Sequence, residues 1–307
     1  MHDTVTIAHL TDVHLGPVSG LVPRYWTLKR ALGLANWLKG RQRAHRRGLL
    51  DRLCDDLLAQ RPDHIAVTGD LTNLGLPWEH DQALAWLAGL GAPDFVSAIP
   101  GNHDIYSHIG RDAGTRRWEA FMRSDTEGAV LAPPAWHFPY VRFRGKVALI
   151  GLNSAVPTPP FVAAGILGDL QRARLEALLL ELGARGYFRL VLIHHPPLPG
   201  QASPARALSD AHEMAALIAR AGAELVIHGH NHTASLAWAG RVPVVGGASA
   251  SLALLHKHET LGRYNLYCIT GRPWRIEVIA RGLAEEGGPI VQLARQTLSH
   301  VPPAKVS

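Results

Sequence analysis

The sequence predicts an α/β protein with a mixed sheet, and three patterns support that prediction. Short runs rich in valine and isoleucine alternate with longer stretches of helical period. The clearest helical stripe consists of Leu175, Leu178, Leu179 and Leu182, and Gly183 directly follows it. After residue 230, closely spaced strands joined by tight turns replace the alternation. We therefore expect parallel and antiparallel strands in the same fold.

The predicted strands and helices can be placed in order along the chain. In the first part, strands are predicted at 5–10, 64–67, 95–99, 147–152, 190–193 and 225–227. Amphipathic helices are predicted between them at 49–60, 79–90, 115–123, 170–184 and 210–221. Later strands are predicted at 233–238, 242–246, 264–269 and 275–280.

Length and composition are those of an ordinary globular protein. The chain has 307 residues, of which 47% are hydrophobic. We find no internal repeat and no low-complexity tract. The sequence predicts a single domain over residues 1–282, with a basic helical insertion at about 16–60. Residues 283–307 have the least informative pattern and are predicted to be a C-terminal extension.

Charge and cysteine content suggest the partners and the compartment. The formal net charge of +6 predicts attraction to anionic molecules, such as phosphate substrates, nucleic acid or acidic membranes. Cys54 and Cys268 lie too far apart in sequence to indicate a disulfide framework, so a reducing, cytoplasmic compartment is predicted. A strand pattern begins soon after Met1, and no export leader is predicted. Residues 242–255 are too short for a membrane span.

Side chains that commonly bind metals follow five of the apolar runs. In open α/β sheets, ligands bind at the carboxyl ends of strands. The segments after the runs are Thr11-Asp12-Val13-His14, Thr68-Gly69-Asp70, Pro100-Gly101-Asn102-His103-Asp104, His194-His195 and His228-Gly229-His230-Asn231-His232. Any one of them could be an ordinary turn or cap. Their joint occurrence, in order and at strand ends, predicts a metal site.

The ligand types predict the kind of metal. Carboxylate, imidazole and amide ligands without a thiolate favour manganese, iron, zinc or cobalt over a structural zinc site. If the chain is still extended after each strand, Asp12 and His14 project to one side, as do His230 and His232. Each pair could then bind one ion. The glycines of the motifs are predicted to allow tight exits from the strands.

These ordered motifs closely resemble those of the calcineurin-like metallophosphoesterase family. The family pattern is Asp-x-His, Gly-Asp, Gly-Asn-His-Asp/Glu, a later histidine and Gly-His-x-His, and all five occur between residues 12 and 232. The resemblance implies a four-layer α/β/β/α sandwich with mixed sheets and a hydrolase of phosphoesters that uses two divalent ions. By motif position, the implied ligands are Asp12, His14 and His232 for one ion, Asn102, His194 and His230 for the other, and Asp70 for both.

The predicted catalytic residues are Asp70 and His103. Two ions about 3.5 to 4 Å apart would lower the pKa of a bridging water, which could then attack phosphorus in line. His103 follows a ligand but is not needed as one, so it could protonate the leaving alkoxide or stabilise phosphoryl charge. Asp104 is expected either to orient His103 or to cap a helix. His194 is preferred to His195 as the ligand, which leaves His195 to contact substrate or support the ligands.

Three interpretations of the function stay open, two of which differ in the substrate. His194-His195-Pro196-Pro197 resembles the variant found in bacterial phosphodiesterases of small diesters, which favours a cyclic nucleotide or a glycerophosphodiester. The alternative is a lipid-linked nucleotide sugar, because the UDP-diacylglucosamine pyrophosphatases share this metal core. Some relatives instead form protein-binding scaffolds after losing ligands, and the complete ligand set here argues against that role.

Residues 24–47, which we call the basic segment, are the most unusual part of the sequence. No acidic residue occurs from 13 to 50, and basic side chains are interleaved with aromatic and leucine side chains. The segment could be an interfacial helix on an anionic inner-membrane surface, or a solvated helix that covers the active site and attracts anionic substrate. Nucleic acid is disfavoured, because the basic positions do not cluster on one helical face. They are Arg24, Lys29, Arg30, Lys39, Arg41, Arg43, Arg46 and Arg47.

Overall fold

The computed structural model of the chain describes residues 4–18, 22–108, 112–132, 138–255 and 259–298. The strands in these ranges are β1 (Val5–Leu10), β2 (His64–Val67), β3 (Val96–Ala98), β4 (Tyr140–Arg144), β5 (Val147–Gly151), β6 (Phe188–Leu192), β7 (Leu225–His228), β8 (Ser235–Ala239), β9 (Val242–Gly246), β10 (Arg263–Thr270), β11 (Arg275–Leu283) and β12 (Ile290–Leu298). The α-helices are α1 (Leu28–Asn36), α2 (Gln42–Ala44), α3 (Arg47–Ala59), α4 (Pro77–Leu90), α5 (Asp169–Ala184) and α6 (Ala211–Ala221). A π-helical turn at Trp37–Arg41 joins α1 to α2, and 3₁₀ turns lie at Pro23–Tyr25, Gly114–Phe121 and Gly128–Val130.

The strands form two mixed sheets. The order in the first sheet is β12-β11-β10-β1-β2-β3, and β1, β2 and β3 run parallel to one another. The order in the second sheet is β4-β5-β6-β7-β9-β8, with antiparallel strands at both edges. The strands that precede the predicted site residues are parallel within each sheet, so their carboxyl ends lie at one edge of it.

Alternating side chains of the second sheet face two different layers. In β5, Val147 and Leu149 pack into the core between the sheets, whereas Ala148 and Ile150 pack into the cluster that contains the apolar faces of α5 and α6. Helices α3 and α4 bury their apolar faces in the core that includes the first sheet. The predicted α/β/β/α sandwich with mixed sheets is confirmed.

The basic segment folds into α1, the π-helical turn and α2. Lys29 and Arg30 are buried, so these two basic side chains are not part of a solvent-exposed or membrane-facing surface. Arg30 donates hydrogen bonds to the carbonyl oxygens of Leu74 and Gly75, so it braces the loop that follows β2. No helix in the described ranges is both long enough and apolar enough to span a membrane.

Some elements differ from the sequence-based prediction. Residues 115–123 do not form the predicted amphipathic α-helix: Gly114–Phe121 is a 3₁₀ helix, in which the buried Trp118 and Phe121 share a face because they are three residues apart. The sequence did not indicate β4, because Arg142 interrupts its apolar pattern. The Arg142 side chain is nevertheless buried and donates to the carbonyl oxygen of Val96. Within residues 283–307, β12 forms an edge of the first sheet.

Candidate active site

Asp12, His14 and His232 form the first of two clusters of possible metal ligands. Oδ1 of Asp12 lies 3.2 Å from Nε2 of His232. Nε2 of His14 also lies 3.2 Å from Nε2 of His232. All three side chains are buried, and one ligand atom from each lies within 4.8 Å of the others. The cluster is compact enough to hold one cation.

Asn102, His194 and His230 form the second cluster. Oδ1 of Asn102 lies 3.1 Å from Nε2 of His194 and 2.8 Å from Nδ1 of His230. These two ring nitrogens are 3.3 Å apart. The structure thus brings an amide oxygen and two imidazole nitrogens together from the ends of β3, β6 and β7.

Asp70 lies between the two clusters. Its Oδ2 is 3.9 Å from Nε2 of His14 in the first cluster and 3.5 Å from Nε2 of His194 in the second. Its Oδ1 accepts a hydrogen bond of 2.7 Å from the backbone amide of His103. A carboxylate held in this position could contact an ion in each cluster.

Three of the imidazoles predicted to be ligands are fixed by hydrogen bonds on the side away from the clusters. In each, Nδ1 faces a carbonyl or carboxylate oxygen, so Nδ1 carries the proton and Nε2 keeps its lone pair. The Nε2 lone pairs therefore face one another and the ligand oxygens, an arrangement that is repulsive without a cation or proton between them. Histidines that bind metals typically have such an outer hydrogen bond. The pairs are His194 with the Thr68 carbonyl at 2.7 Å, His14 with the Thr72 carbonyl at 3.2 Å, and His232 with Glu259 at 2.9 Å.

The electrostatics of the centre favour positive charge. Burial alone would lower the pKa of His194, but Asp70 raises it to about 9. Burial likewise opposes a charge on His232, whereas Asp12 raises the pKa of that imidazole to about 9. Oδ1 of Asp12 is buried and accepts no hydrogen bond from any described residue. Because buried carboxylates need a compensating cation, the donor set fits divalent metal ions.

Five of the predicted ligands have left-handed backbone conformations. The φ angle is 52° at Asp12, 40° at His14, 56° at Asp70, 72° at His230 and 56° at His232. The expectation of an extended chain after β1 and β7 is therefore wrong. His230 and His232 lie in different clusters, whereas Asp12 and His14 share a cluster. Each such residue costs about 1 to 2 kcal/mol, and this kind of strain concentrates at functional sites.

Two glycines allow the loops at the strand ends to approach each other. A Cβ on Gly101 would overlap Oδ1 of Asp70 and would lie 2.5 Å from the Asp70 amide nitrogen. A Cβ on Gly229 would overlap the Thr11 hydroxyl and would lie 2.5 Å from Oδ2 of Asp12. A larger residue at either position would displace a ligand carboxylate, so these positions require glycine.

His103 lies beside the first cluster, with its ring in a defined orientation. Nδ1 is 2.6 Å from the carbonyl oxygen of Asn73, so it carries the proton and Nε2 faces the cavity. The ring stacks on Tyr106, with centroids 5.3 Å apart. Burial lowers the pKa of His103 to about 4, Asp70 partly opposes this, and Arg41 lowers the pKa further. The imidazole is therefore neutral at pH 7.

Asp104 does not orient the His103 ring, which is one of the two roles expected from the sequence. Its carboxylate accepts hydrogen bonds from the backbone amides of Gly101, Asp70, Leu71 and Thr72. The orienting contact of His103 comes from Asn73 instead. Asp104 therefore ties the loop after β2 to the loop after β3 and fixes the backbone of Asp70.

His195 is buried next to the second cluster but faces away from it. Its Nδ1 is 2.8 Å from the hydroxyl oxygen of Ser154, and its Nε2 is 3.1 Å from the carbonyl oxygen of Ala163. Both ring nitrogens are thus engaged in hydrogen bonds outside the ligand clusters. This placement favours His194 over His195 as the ligand.

A cavity of about 220 Å³ opens over the clusters, and four ionisable residues that line it belong to none of the five sequence motifs. Nδ1 of His45 hydrogen-bonds to the hydroxyl group of Ser251 at 2.8 Å. Glu259 holds the His232 imidazole. None of these residues lies at a fixed spacing from a motif. The sequence indicated only Arg41, as one of the basic residues of the basic segment. The four residues are Arg41, His45, Arg206 and Glu259.

A family model for calcineurin-like phosphoesterases matches residues 5–234. The chain belongs to the calcineurin-like phosphoesterase family. The matched residues include all seven predicted ligands and His103. Members of this family depend on two metal ions, and the two clusters contain the residues that could hold them. The predictions of this family and of a metal-dependent phosphoester hydrolase are confirmed.

Two relatives of this calcineurin-like phosphoesterase have names that specify phosphodiesterases. The chain is 30% identical over 183 residues to the glycerophosphodiester phosphodiesterase GpdQ of Enterobacter lignolyticus, a match that covers 58% of this chain and 59% of that protein. It is 26% identical over 283 residues to a probable cyclic nucleotide phosphodiesterase of Synechococcus, which covers 90% of this chain and 92% of that protein.

Two solved structures with similar folds are phosphatases by title. A dimetal phosphatase from Danio rerio superposes with a TM-score of 0.60 at 17% identity, covering 96% of this chain and 99% of that one. The purple acid phosphatase PPD1 of yellow lupin superposes with a TM-score of 0.58 at 11% identity, covering 97% of this chain and 54% of that one. At these identities, the similarity demonstrates a common fold and nothing further.

Proposed function

We propose that this protein hydrolyses a small phosphodiester, of the glycerophosphodiester or cyclic nucleotide type, with two divalent metal ions bound at the ends of the central strands. The observation that carries the proposal is the position of Asp70 between two clusters of buried ligand atoms. Such a pair of sites is the arrangement used for in-line displacement at phosphorus.

Each cluster would hold one ion in this proposal. Asp12, His14 and His232 would hold the first, and Asn102, His194 and His230 would hold the second, with Asp70 contacting both. The ions, which could be manganese, iron, zinc or cobalt, would activate a water nucleophile and neutralise charge on the phosphoryl oxygens. Glu259 and the carbonyl groups behind the histidines keep the ligand nitrogens oriented toward the ions.

His103 is proposed to act at the leaving group. Its Nε2 faces the cavity, and the Asn73 carbonyl and the Tyr106 ring hold the imidazole in place. Because the proton of the neutral ring is on Nδ1, Nε2 is a hydrogen-bond acceptor. Protonation of a leaving alkoxide therefore requires a second proton on the ring, which burial and Arg41 oppose by lowering the pKa. The role should matter most for leaving groups that cannot depart without a proton.

The size of the cavity supports a small substrate. At about 220 Å³, it is smaller than the roughly 300 to 1,000 Å³ typical of pockets that enclose drug-sized ligands. It can enclose a phosphoryl group and a short ester arm, while a larger arm must extend into solvent. The names of the two phosphodiesterase relatives point to the same substrate class.

A hydrolysis panel with manganese tests this proposal. The substrates are bis-p-nitrophenyl phosphate, cyclic AMP, a glycerophosphodiester and a UDP-acyl-sugar. We expect turnover of the artificial diester and of at least one of the small natural diesters, and loss of all turnover after chelation. Preference for the UDP-acyl-sugar, or turnover that persists without metal, would contradict the proposal.

One observation supports a second candidate, a pyrophosphatase for lipid-linked nucleotide sugars that works at a membrane surface. Four large apolar side chains of the basic segment are exposed, namely Trp26, Leu28, Leu32 and Leu38. Leu28 and Leu32 lie four residues apart on one face of α1. Exposed basic side chains surround them in sequence, which is the composition of segments that bind anionic membranes. They are Arg24, Lys39, Arg43, Arg46 and Arg47.

Sedimentation with vesicles tests this second candidate. It predicts that the protein sediments with vesicles containing phosphatidylglycerol, and that Leu28→Glu prevents this. The matched control is Leu180→Glu, because Leu180 is also exposed but lies on α5. Wild-type protein that stays in the supernatant at low salt would contradict membrane binding and leave the small diester as the substrate class.

A further inference from the structure

The basic segment places one cationic side chain, that of Arg41, inside the active-site cavity. Arg41 is the last residue of the π-helical turn Trp37–Arg41. The Trp37 ring is buried and packs 3.3 Å from the position that a Cβ of Gly16 would occupy. π-helical turns are rare, and they often occur at functional sites.

The chain after Arg41 is also fixed to the core. The amide of Arg46 donates to the carbonyl oxygen of Ser251 at 2.8 Å, and the amide of Ala253 donates to the carbonyl oxygen of Ala44 at 2.7 Å. Arg41 is therefore anchored on both sides, by Trp37 before it and by Ala44 and Arg46 after it. Its position over the site follows from the fold of the whole segment.

The guanidinium group of Arg41 points at the centre of the site. Nη2 lies 3.0 Å from Nε2 of His14, and Nη1 lies 3.3 Å from Nε2 of His103. Both imidazoles have their proton on Nδ1, so each Nε2 can accept a hydrogen bond from Arg41. The Arg41 guanidinium thus contacts both His14, a predicted metal ligand, and His103, which is predicted to act at the leaving group.

The environment of Arg41 differs from that of the structural arginines. Arg189 and Arg281 pair with the carboxylates of Glu224 and Asp56. Arg30 donates to backbone carbonyl oxygens. Within the described part of the chain, Arg41 forms no ion pair, and both hydrogen bonds of its guanidinium go to neutral imidazole nitrogens. Because its partners are neutral, the Arg41 guanidinium can bind an anion more strongly than it binds these imidazoles.

We infer that Arg41 is a substrate-binding residue that contacts the non-bridging oxygens of the substrate phosphoryl group. The inference rests on the proposed function and adds to it the residue through which the basic segment acts on the site. A guanidinium can donate two parallel hydrogen bonds to two phosphoryl oxygens, and it can neutralise the charge that develops on them during displacement. The segment would therefore bind the phosphoryl group of the substrate through Arg41.

Three variants and two measurements test the inference. Arg41→Ala removes the guanidinium, Arg41→Lys keeps the charge without the paired donors, and Arg43→Ala is the matched control because Arg43 is exposed in the same segment. For each manganese-loaded protein, calorimetry gives the Kd for inorganic phosphate, and kinetics give kcat/KM for bis-p-nitrophenyl phosphate. Elemental analysis and the melting temperature check that each variant is folded and loaded with metal.

We expect Arg41→Ala to weaken phosphate binding and lower kcat/KM by roughly 10-fold to 100-fold each, the size of a hydrogen bond to a charged group. Arg41→Lys should recover part of both losses, and Arg43→Ala should match the wild type. Added guanidinium ion, below denaturing concentrations, should partly restore the rate of Arg41→Ala.

Two results would overturn the inference. One is a folded Arg41→Ala protein that binds phosphate as tightly as the wild type. The other is a variant that loses its metal ions, since Arg41 would then support the ligands and not the substrate. If wild-type protein binds phosphate but hydrolyses no diester, the proposed function fails, while the phosphate Kd still decides the role of Arg41.

Discussion

Oδ2 of Asp70 lies 3.5 Å from Nε2 of His194, although the two residues follow strands of different sheets. Asp70 comes after β2 in the first sheet, and His194 comes after β6 in the second. The two clusters therefore exist only when the sheets pack against each other. Packing of the sandwich and assembly of the site are the same event.

Asp70→Asn should reduce the metal content of the protein. The amide keeps the shape of the side chain but removes the negative charge that faces both clusters. We expect metal affinity to fall by at least about 100-fold, since loss of a residue that merely supports a ligand costs about 10-fold to 100-fold. Elemental analysis after dialysis measures this, with Asp169→Asn as a control because Asp169 is exposed. Two ions per chain in Asp70→Asn would refute its bridging position.

His103→Ala should keep its metals and lose rate in a way that depends on the leaving group. We expect a fall of about 10² to 10⁴-fold for diesters with alkoxide leaving groups, the usual contribution of proton transfer. The fall should be much smaller for p-nitrophenyl esters, which depart without a proton. Rates for a series of leaving groups measure this, and His212→Ala on the exposed face of α6 serves as the control. An equal loss for all leaving groups would argue that His103 stabilises phosphoryl charge instead.

Glu259→Gln should weaken metal binding at the first cluster. Glu259 accepts a hydrogen bond of 2.9 Å from Nδ1 of His232, and its charge makes that imidazole a stronger ligand. We expect one of the two metal affinities to fall by about 10-fold to 100-fold, as measured by titration calorimetry. Glu285→Gln is the matched control, because Glu285 is exposed. Identical isotherms for Glu259→Gln and the wild type would show that the contact has no effect on the ligand.

Asp56→Asn should destabilise the protein in a pH-dependent manner. Asp56 on α3 binds Arg281 through two contacts of 2.7 Å and accepts a hydrogen bond from Tyr264, and these partners lower its pKa. Since its folded pKa is below the unfolded value of about 3.9, its contribution is fully present above that pH and is lost as the pH falls through the folded pKa.

The expected loss is about 1.5 to 3 kcal/mol in the free energy of unfolding at pH 6, the usual range for hydrogen bonds to a charged group. Urea denaturation of both proteins between pH 6 and pH 3 measures it. The difference should stay constant down to about pH 4 and shrink below that. Asp55→Asn, at the exposed neighbouring position, should change little. A difference that grows on acidification would contradict the assignment.

Much of the site could be predicted because its residues directly follow strands. Each motif is a short stretch of sequence directly after a strand. Because parallel strands place their carboxyl ends at one edge of the sheet, the order of strands and motifs is enough to predict that Asp12, Asp70 and Asn102 lie near one another. The left-handed conformations could not be predicted from this pattern. They depend on tertiary hydrogen bonds, such as that from the His230 amide to Oδ2 of Asp12.

Other features were missed because their signals are not local. Arg142 makes β4 look polar, and only the fold shows that backbone carbonyl groups surround its guanidinium. Glu259 lies outside every motif and contacts the site through His232. The sequence shows the charge of Arg41, but the π-helical turn that directs it into the cavity is a property of the packed segment.

The most direct test of the two-metal account is an anomalous difference map from crystals of the protein grown with manganese. We predict two peaks, one enclosed by Asp12, His14 and His232 and one enclosed by Asn102, His194 and His230, with the Asp70 carboxylate touching both. A single peak, or peaks that do not contact Asp70, would contradict the account.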